Sequence, residues 1–213
     1  MKGLIFIPDI SGFTNFVNTI DMELGVTITT ELLNVIIDNN PLQMELSEIE
    51  GDAILFYKIG KPIPLPIVLS SFKNMYKAFD TTFLRWKQAY QFEANLSLKL
   101  IVHYGDIMVY DIKGFRKLYG ETVIESHNLL KNGNRCTDYV LVTEDYLKAL
   151  PGYDPALRTI NPGYKSSRSQ LSTGVKKIEY YFYFNHQNTS DMALIPRERL
   201  WPLPEQINIT MSV

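Results

Sequence analysis

Two aspartates in this chain have the setting that metal chemistry needs. Asp9 lies in Phe6-Ile-Pro-Asp-Ile-Ser-Gly-Phe-Thr14, and Asp52 in Glu48-Ile-Glu-Gly-Asp-Ala-Ile-Leu-Phe56. Each has a glycine close by, at the edge of an apolar run that reads as a strand. If the two strands are neighbours, the carboxylates converge on one point. Two convergent carboxylates with room for phosphate oxygens are what hard divalent cations use when they hold nucleotides. Plainer roles exist for each residue alone: a turn or helix cap for Asp9, a hairpin turn for Asp52.

The surrounding pattern says which elements must position them. Gly3 to Ile7 is a continuous apolar run bounded by Pro8 and reads as a buried strand. Ser11 or Thr14 can cap a following helix, with Phe13, Phe16, Val17 and Ile20 at helical spacing. A second helical pattern runs from Thr27 to Ile37 and stops at Asn39-Asn40-Pro41. Leu42 to Ile49 and Ala53 to Ile59 then read as strands joined by a tight glycine-containing turn, a hairpin. After the breaker Lys61-Pro-Ile-Pro-Leu-Pro66, apolar residues at Phe72, Met75, Tyr76, Phe79, Phe83 and Trp86 predict a long amphipathic helix ending near Tyr90.

Leu96 to Tyr104 and Ile107 to Ile112 predict a second strand pair around Gly105-Asp106. A helix is expected from Gly120 to Lys131, ended by Asn132-Gly133. A short strand over 139–142, a brief helix over 144–150 and an aromatic strand over 178–184 follow. Met22, Met44, Met75 and Met108 suit gap-filling in the core. Residues 1–186 are expected to form one domain and 187–213 an extended, proline-bearing tail. Strands mixed with helices, and hairpins rather than strict alternation, imply an α+β class with helices on one face.

Composition excludes several function classes. Of 213 residues, 46% are hydrophobic, enough for a real core and against wholesale disorder. A formal net charge of -2 gives no global attraction to nucleic acid or an anionic membrane. One cysteine, Cys136, rules out an internal disulfide framework and suits a reducing compartment. No apolar run reaches membrane-spanning length, so a cytoplasmic location is expected. His103, His127 and His186 lack a zinc-ligand spacing and read as packing or surface residues.

Taken in order, these features resemble the catalytic domain of the class III nucleotidyl cyclases, the adenylyl and guanylyl cyclases. Asp9-Ile-Ser-Gly-Phe-Thr14 is similar to that family's first metal-binding strand and turn, and Gly51-Asp52 to its second metal aspartate. His103-Tyr-Gly105 and Leu118-Tyr-Gly-Glu-Thr-Val123 resemble the later strand pair and the loop entering the catalytic helix. The similarity runs in unbroken order from about Ile5 to Leu147. It implies a ferredoxin-like, mostly antiparallel sheet. It also implies Mg²⁺ or Mn²⁺ on Asp9 and Asp52, phosphate oxygens on the backbone N–H groups of Ser11, Gly12, Phe13 and Thr14, and a homodimer with composite sites.

The resemblance also locates base recognition and catalysis. In adenylyl cyclases a lysine and an aspartate read adenine; the matching positions here are Glu48 and Lys117, with the charges swapped. Guanylyl cyclases carry glutamate at the first position. Lys117 could donate to guanine O6 and Glu48 accept from N1–H and N2–H; a ligand-free Glu48–Lys117 ion pair is the plain alternative. The family's catalytic helix carries a ribose-positioning asparagine and, four residues on, an arginine. Those positions are Ile124 and Asn128. Candidate substitute cations are Lys131, Arg135, Arg168, Lys176 and Lys177.

The expectation is a degenerate cyclase homologue that binds a purine nucleoside triphosphate, a divalent metal or both, with little or no cyclase activity. The alternatives are an active purine nucleotide cyclase favouring GTP, or a protein-interaction module built on the same fold.

Overall fold

A computed structural model describes residues 1–131, 137–153, 164–172 and 177–185. Cys136, Arg135, Lys176, His186, the 1–186 domain boundary and the 187–213 tail lie outside the described residues, as do the side chains of Arg168 and Lys177. No helix of the described residues is long and apolar enough to cross a membrane.

The chain runs β1 (Lys2–Ser11), α1 (Phe13–Thr19), α2 (Met22–Asp38), β2 (Glu45–Glu50), β3 (Ala53–Ile59), α3 (Leu65–Tyr90) and β4 (Ser97–Asp106). It continues with β5 (Met108–Ile112), β6 (Phe115–Tyr119), α4 (Glu121–Leu130), β7 (Tyr139–Thr143), α5 (Glu144–Ala149), β8 (Tyr164–Ser172) and β9 (Lys177–Asn185). Seven strands form one sheet in the order β2-β3-β1-β4-β7-β9-β8, antiparallel except for β4 beside β7. The β1–β4 part, with its intervening helices, is the ferredoxin-like βαββαβ arrangement.

Period-two alternation splits the core. On one face, Leu4, Phe6, Ile54, Phe56, Leu100 and Val102 pack under α1, α2, α3 and α5. On the other, Ile5, Ile7, Leu55, Tyr57, Ile101 and Leu141 meet Leu129 of α4. The α+β layout with helices gathered on one face is thus the expected one, and short α4 covers the other side. The long helix α3 forms because Val68, Leu69, Phe72, Met75, Phe79 and Phe83 recur at three- and four-residue steps, all buried.

Several local expectations are corrected. Strand β1 does not stop at Pro8 but continues to Ser11. Its ladder to β3 skips Ile7 and Pro8, where proline has no N–H to offer, and resumes at Asp9 opposite Ala53. Neither Ser11 nor Thr14 caps α1; Gly12 does, at φ 87, with no side-chain cap. Asp21 caps α2 instead, accepting from the N–H groups of Glu23 and Leu24. Strands β4 and β5 are not partners: β4 joins the main sheet, and β5 pairs with β6 in a separate ribbon. The ribbon turns at Lys113-Gly114, both with positive φ, a hairpin signal that lysine disguises. Met44 and Met75 are core residues, whereas Met22 and Met108 are 81% and 60% exposed.

Two motifs singled out in the sequence meet in space. A Cβ on Gly105 of β4 would run into the Thr122 side chain in the first turn of α4. The Thr122 hydroxyl donates to the Asp106 carbonyl at 2.9 Å. Gly120, at φ 140, lies so close to Asp106 that a Cβ would stand 2.8 Å from its carbonyl oxygen. Glycines here let α4 start flush against the end of β4. We expect Gly105→Ala to destabilise the fold by roughly 1–3 kcal/mol in urea unfolding, as over-packing does. The cost should shrink in a Thr122→Ala background; equal costs in both backgrounds would show that Thr122 is not the obstacle.

Candidate functional site

The site begins with the face that alternation assigns to Asp9. Ile5, Ile7 and Asp9 point to the α4 side of the sheet, so Asp9 ends an apolar row and is only 7% exposed. Asp52 follows Gly51 in the β2–β3 turn, and its carbonyl accepts the Ile10 N–H at 3.2 Å, which ties the turn to β1. The two carboxyl groups converge as the sequence predicts. Burial, the Asp9 charge and hydrogen bonding to Asp9 raise the Asp52 pKa from 3.8 to about 6.

A third group, unforeseen in the sequence, completes the centre. Lys99 of β4 is the cross-strand partner of Asp9, and its Nζ lies 2.9 Å from Asp9 Oδ2. Burial works against the ammonium, yet the Asp9 charge and hydrogen bond, with Tyr139 and Asp52, hold its pKa above the ordinary lysine value. Its sequence signal was slight: a lone cation in Leu96-Ser-Leu-Lys-Leu-Ile-Val102. Only the register shows that it faces the aspartates.

The other predicted residues fall into three places. Ser11 is buried at the end of β1, while Gly12 and Thr14 are exposed at the start of α1, beside Asp9 in the chain. The first N–H groups of a helix have no intrahelical acceptor, and no side chain caps these. Glu48 and Lys117 do meet: Lys117 Nζ donates to Glu48 Oε2 within one chain. Lys117 belongs to strand β6, whereas the base-reading position it matches by resemblance belongs to the loop before the catalytic helix. A parallel contact joins Arg116 to Glu45, which also accepts from the Tyr57 hydroxyl at 2.8 Å. Together the two ion pairs fasten the ribbon to strand β2. His127, expected to be a packing or surface residue, is partly exposed, and its Nε2 lies 3.2 Å from the other Glu48 oxygen. Ile124 is 63% exposed on α4, and Asn128, four residues on, is partly exposed.

His103 is a packing residue, as expected, but a highly connected one. It is 1% exposed; Nε2 lies 2.8 Å from Glu125 Oε2 and Nδ1 2.7 Å from Thr143 Oγ1. The Thr143 oxygen also caps α5 by accepting the Tyr146 N–H. Donor atoms of His103, Glu125 and Asp145 lie within 4.8 Å of one another, a set that could ligate a cation. Because both ring nitrogens already have partners, the network first of all ties β4 to α4 and α5.

Comparison with known proteins agrees with the fold. Residues 29–139 match a family model described as Protein of unknown function (DUF2652). No curated protein matches the chain. Solved structures of cyclase domains do. The adenylyl cyclase CyaB from P. aeruginosa aligns with a TM-score of 0.66 and 13% identity, over 88% of this chain and 95% of that one. A dimeric guanylyl cyclase domain from the aquatic fungus Blastocladiella emersonii gives 0.54 and 13%, over 86% and 96%. The guanylate cyclase domain from Catenaria anguillulae in complex with GTP gives 0.51 and 13%, also over 86% and 96%. At such identity the likeness establishes the cyclase-type fold alone.

The crowding of charge at the centre predicts a pH dependence. Asp52 holds its proton more tightly folded, with a pKa of about 6, than unfolded at 3.8. Its contribution to stability is therefore complete below the unfolded value and is lost as pH rises through the folded one. After allowance for partial burial, the loss should be about 1–2 kcal/mol between acid and neutral pH. Asp52→Asn removes this contribution. The difference between wild-type and mutant stability, followed by urea titration across that range, should change by that amount; parallel curves would contradict it.

Proposed function

The chain belongs to the DUF2652 family, and we propose that this member is a degenerate homologue of the class III nucleotidyl cyclases. It binds a purine nucleoside triphosphate, a divalent metal or both, with little or no cyclase activity. The observation that carries this reading is the convergence of Asp9 and Asp52 at the end of β1. Oxygen donors held side by side, one of them destabilised as an anion by burial and by the other's charge, suit a hard cation. Mg²⁺ or Mn²⁺ bound there supplies positive charge to phosphate oxygens and acidifies a coordinated hydroxyl.

Within this reading, Asp9 and Asp52 hold the metal, and the first N–H groups of α1, over Ser11 to Thr14, take phosphate oxygens. Helix α1 has 7 residues. At that length, separate N–H donors matter more than a macrodipole. Glu48 and Lys117 read a guanine, the base opening the ion pair they make with each other. The catalytic helix supplies little. Ile124 cannot hydrogen-bond a ribose, and Asn128 carries no charge for the transferring phosphate. Loss of an oxyanion donor costs roughly 10²–10³ in rate, and an arginine at phosphoryl charge is worth roughly 10³–10⁵. The described cation Lys131 follows α4 on its exposed side.

A homodimer in the reducing cytoplasm completes the reading. It is supported by the outer face of the β5–β6 ribbon, where Met108, Tyr110, Ile112, Phe115 and Tyr119 are 39–73% exposed. Register pairs Met108 with Tyr119 and Ile112 with Phe115, so these side chains share one face.

Titration with GTP and ATP in the presence of Mg²⁺ or Mn²⁺, followed by calorimetry, tests the reading. Binding is expected for wild type and at least about tenfold weaker for Asp52→Asn, which removes one ligating charge. A preference for GTP that Glu48→Lys abolishes is expected; equal affinities reject the base assignment. Cyclic product would select the active-cyclase alternative. No binding at millimolar nucleotide would leave the interaction module.

A further inference from the structure

Lys99 enters the acidic end of β1 from β4, directly opposite Asp9. We propose that Lys99 is a built-in counter-cation for the Asp9–Asp52 pair, so that a divalent cation reaches the pair only by displacing the Lys99 ammonium from Asp9. The inference rests on reading Asp9 and Asp52 as metal ligands.

The placement is fixed by backbone register rather than by side-chain chance. Asp9 and Lys99 are directly opposite in the β1–β4 ladder, whose pairing is unbroken from Lys2–Asp106 to Ser11–Ser97. Direct cross-strand neighbours on one face are held within contact distance. The ammonium lies 2.9 Å from Asp9 Oδ2, with side-chain exposures of 19% for the lysine and 10% for the aspartate. A pair so enclosed differs from a solvated surface ion pair, because each charge is costly to bury without the other. On the same face stand Ile7, Ile101 and Tyr139, which offer the ammonium no carboxylate. Asp9 and Asp52 are the carboxyl groups that act on it, with a further contribution from Tyr139.

The consequence for metal binding follows from charge and from ligand count. Two carboxyl groups beside one ammonium leave the centre with at most a single net negative charge. A hard cation that needs about six oxygen ligands finds one carboxylate oxygen already committed to an N–H donor. It also meets a like charge at contact range, in surroundings that screen poorly. The lysine stem is flexible, so the ammonium can withdraw; Asp9 then exchanges one cation for another.

Binding of Mn²⁺, read from loss of the free-ion electron paramagnetic resonance signal, tests this without reference to activity. Lys99→Met keeps the length of the stem and removes the charge. It should bind Mn²⁺ at least about tenfold more tightly than wild type, and Asp52→Asn in that background should abolish the gain. The Mn²⁺-induced rise in melting temperature should likewise be larger for Lys99→Met. Lys99→Gln, which keeps a hydrogen bond to Asp9, replaces it if the methionine variant is unfolded by circular dichroism, with a gain in the same direction. Equal, measurable affinities in wild type and the folded variant overturn the role of Lys99 and leave the metal reading standing. Mn²⁺ bound by neither overturns both. Mn²⁺ bound by the variant but not by wild type upholds the inference and shows the native site closed to metal.

Discussion

Antiparallel pairing of β1 on both sides is the constraint from which the rest follows. It sets Ala53 on one flank of Asp9 and Lys99 on the other, and it carries the Asp52 turn within reach through the Ile10 amide. The same register sends Leu4, Phe6 and Ile10 under the helices and Ile5 and Ile7 toward α4. A slip of one residue would press Asp9 into the helix-side core and turn the apolar row toward the charged centre. Proline at position 8 tolerates this location because the ladder to β3 is interrupted there. Fold and site are thus specified by one alignment of strands.

Much of this was legible in the residues. The α+β class, the β2–β3 hairpin around Asp52 and the long helix α3 follow from periodicity and breakers, since those elements bury one clear stripe or face. The convergence of Asp9 and Asp52 was legible too, through glycine and the flanking apolar runs. What escaped was decided by pairing. Lys99 is unremarked in an apolar run until β4 is known to lie against β1. The β5–β6 ribbon was hidden because Lys113-Gly114 lacks the usual Asn-Gly signal. Strand β8 is rich in serine and polar residues and carries no alternating apolar face to announce it.

The positions that the cyclase resemblance singles out differ in how much of the fold rests on them. On α4, Thr122, Glu125, Ser126 and Leu129 are buried and hold the helix to β4 and the sheet. Ile124 lies on the exposed side and touches little of this framework. A change there alters what the helix can do to a ligand without altering whether the helix forms. Asp9, by contrast, is interior, and exchanging it would leave Lys99 buried without its partner. Fold retention is therefore weak evidence for catalysis in this chain and stronger evidence for the charged centre.

The ribbon offers a last consequence. Five large side chains on its outer face, three of them wholly apolar and two tyrosines, are dressed by water in the lone protomer. Covering that face releases the water, and the thermodynamic mark of such release is a negative change in heat capacity. Any assembly through the ribbon would then tighten less on cooling than its enthalpy at room temperature suggests, because the drive from apolar hydration fades as water is chilled.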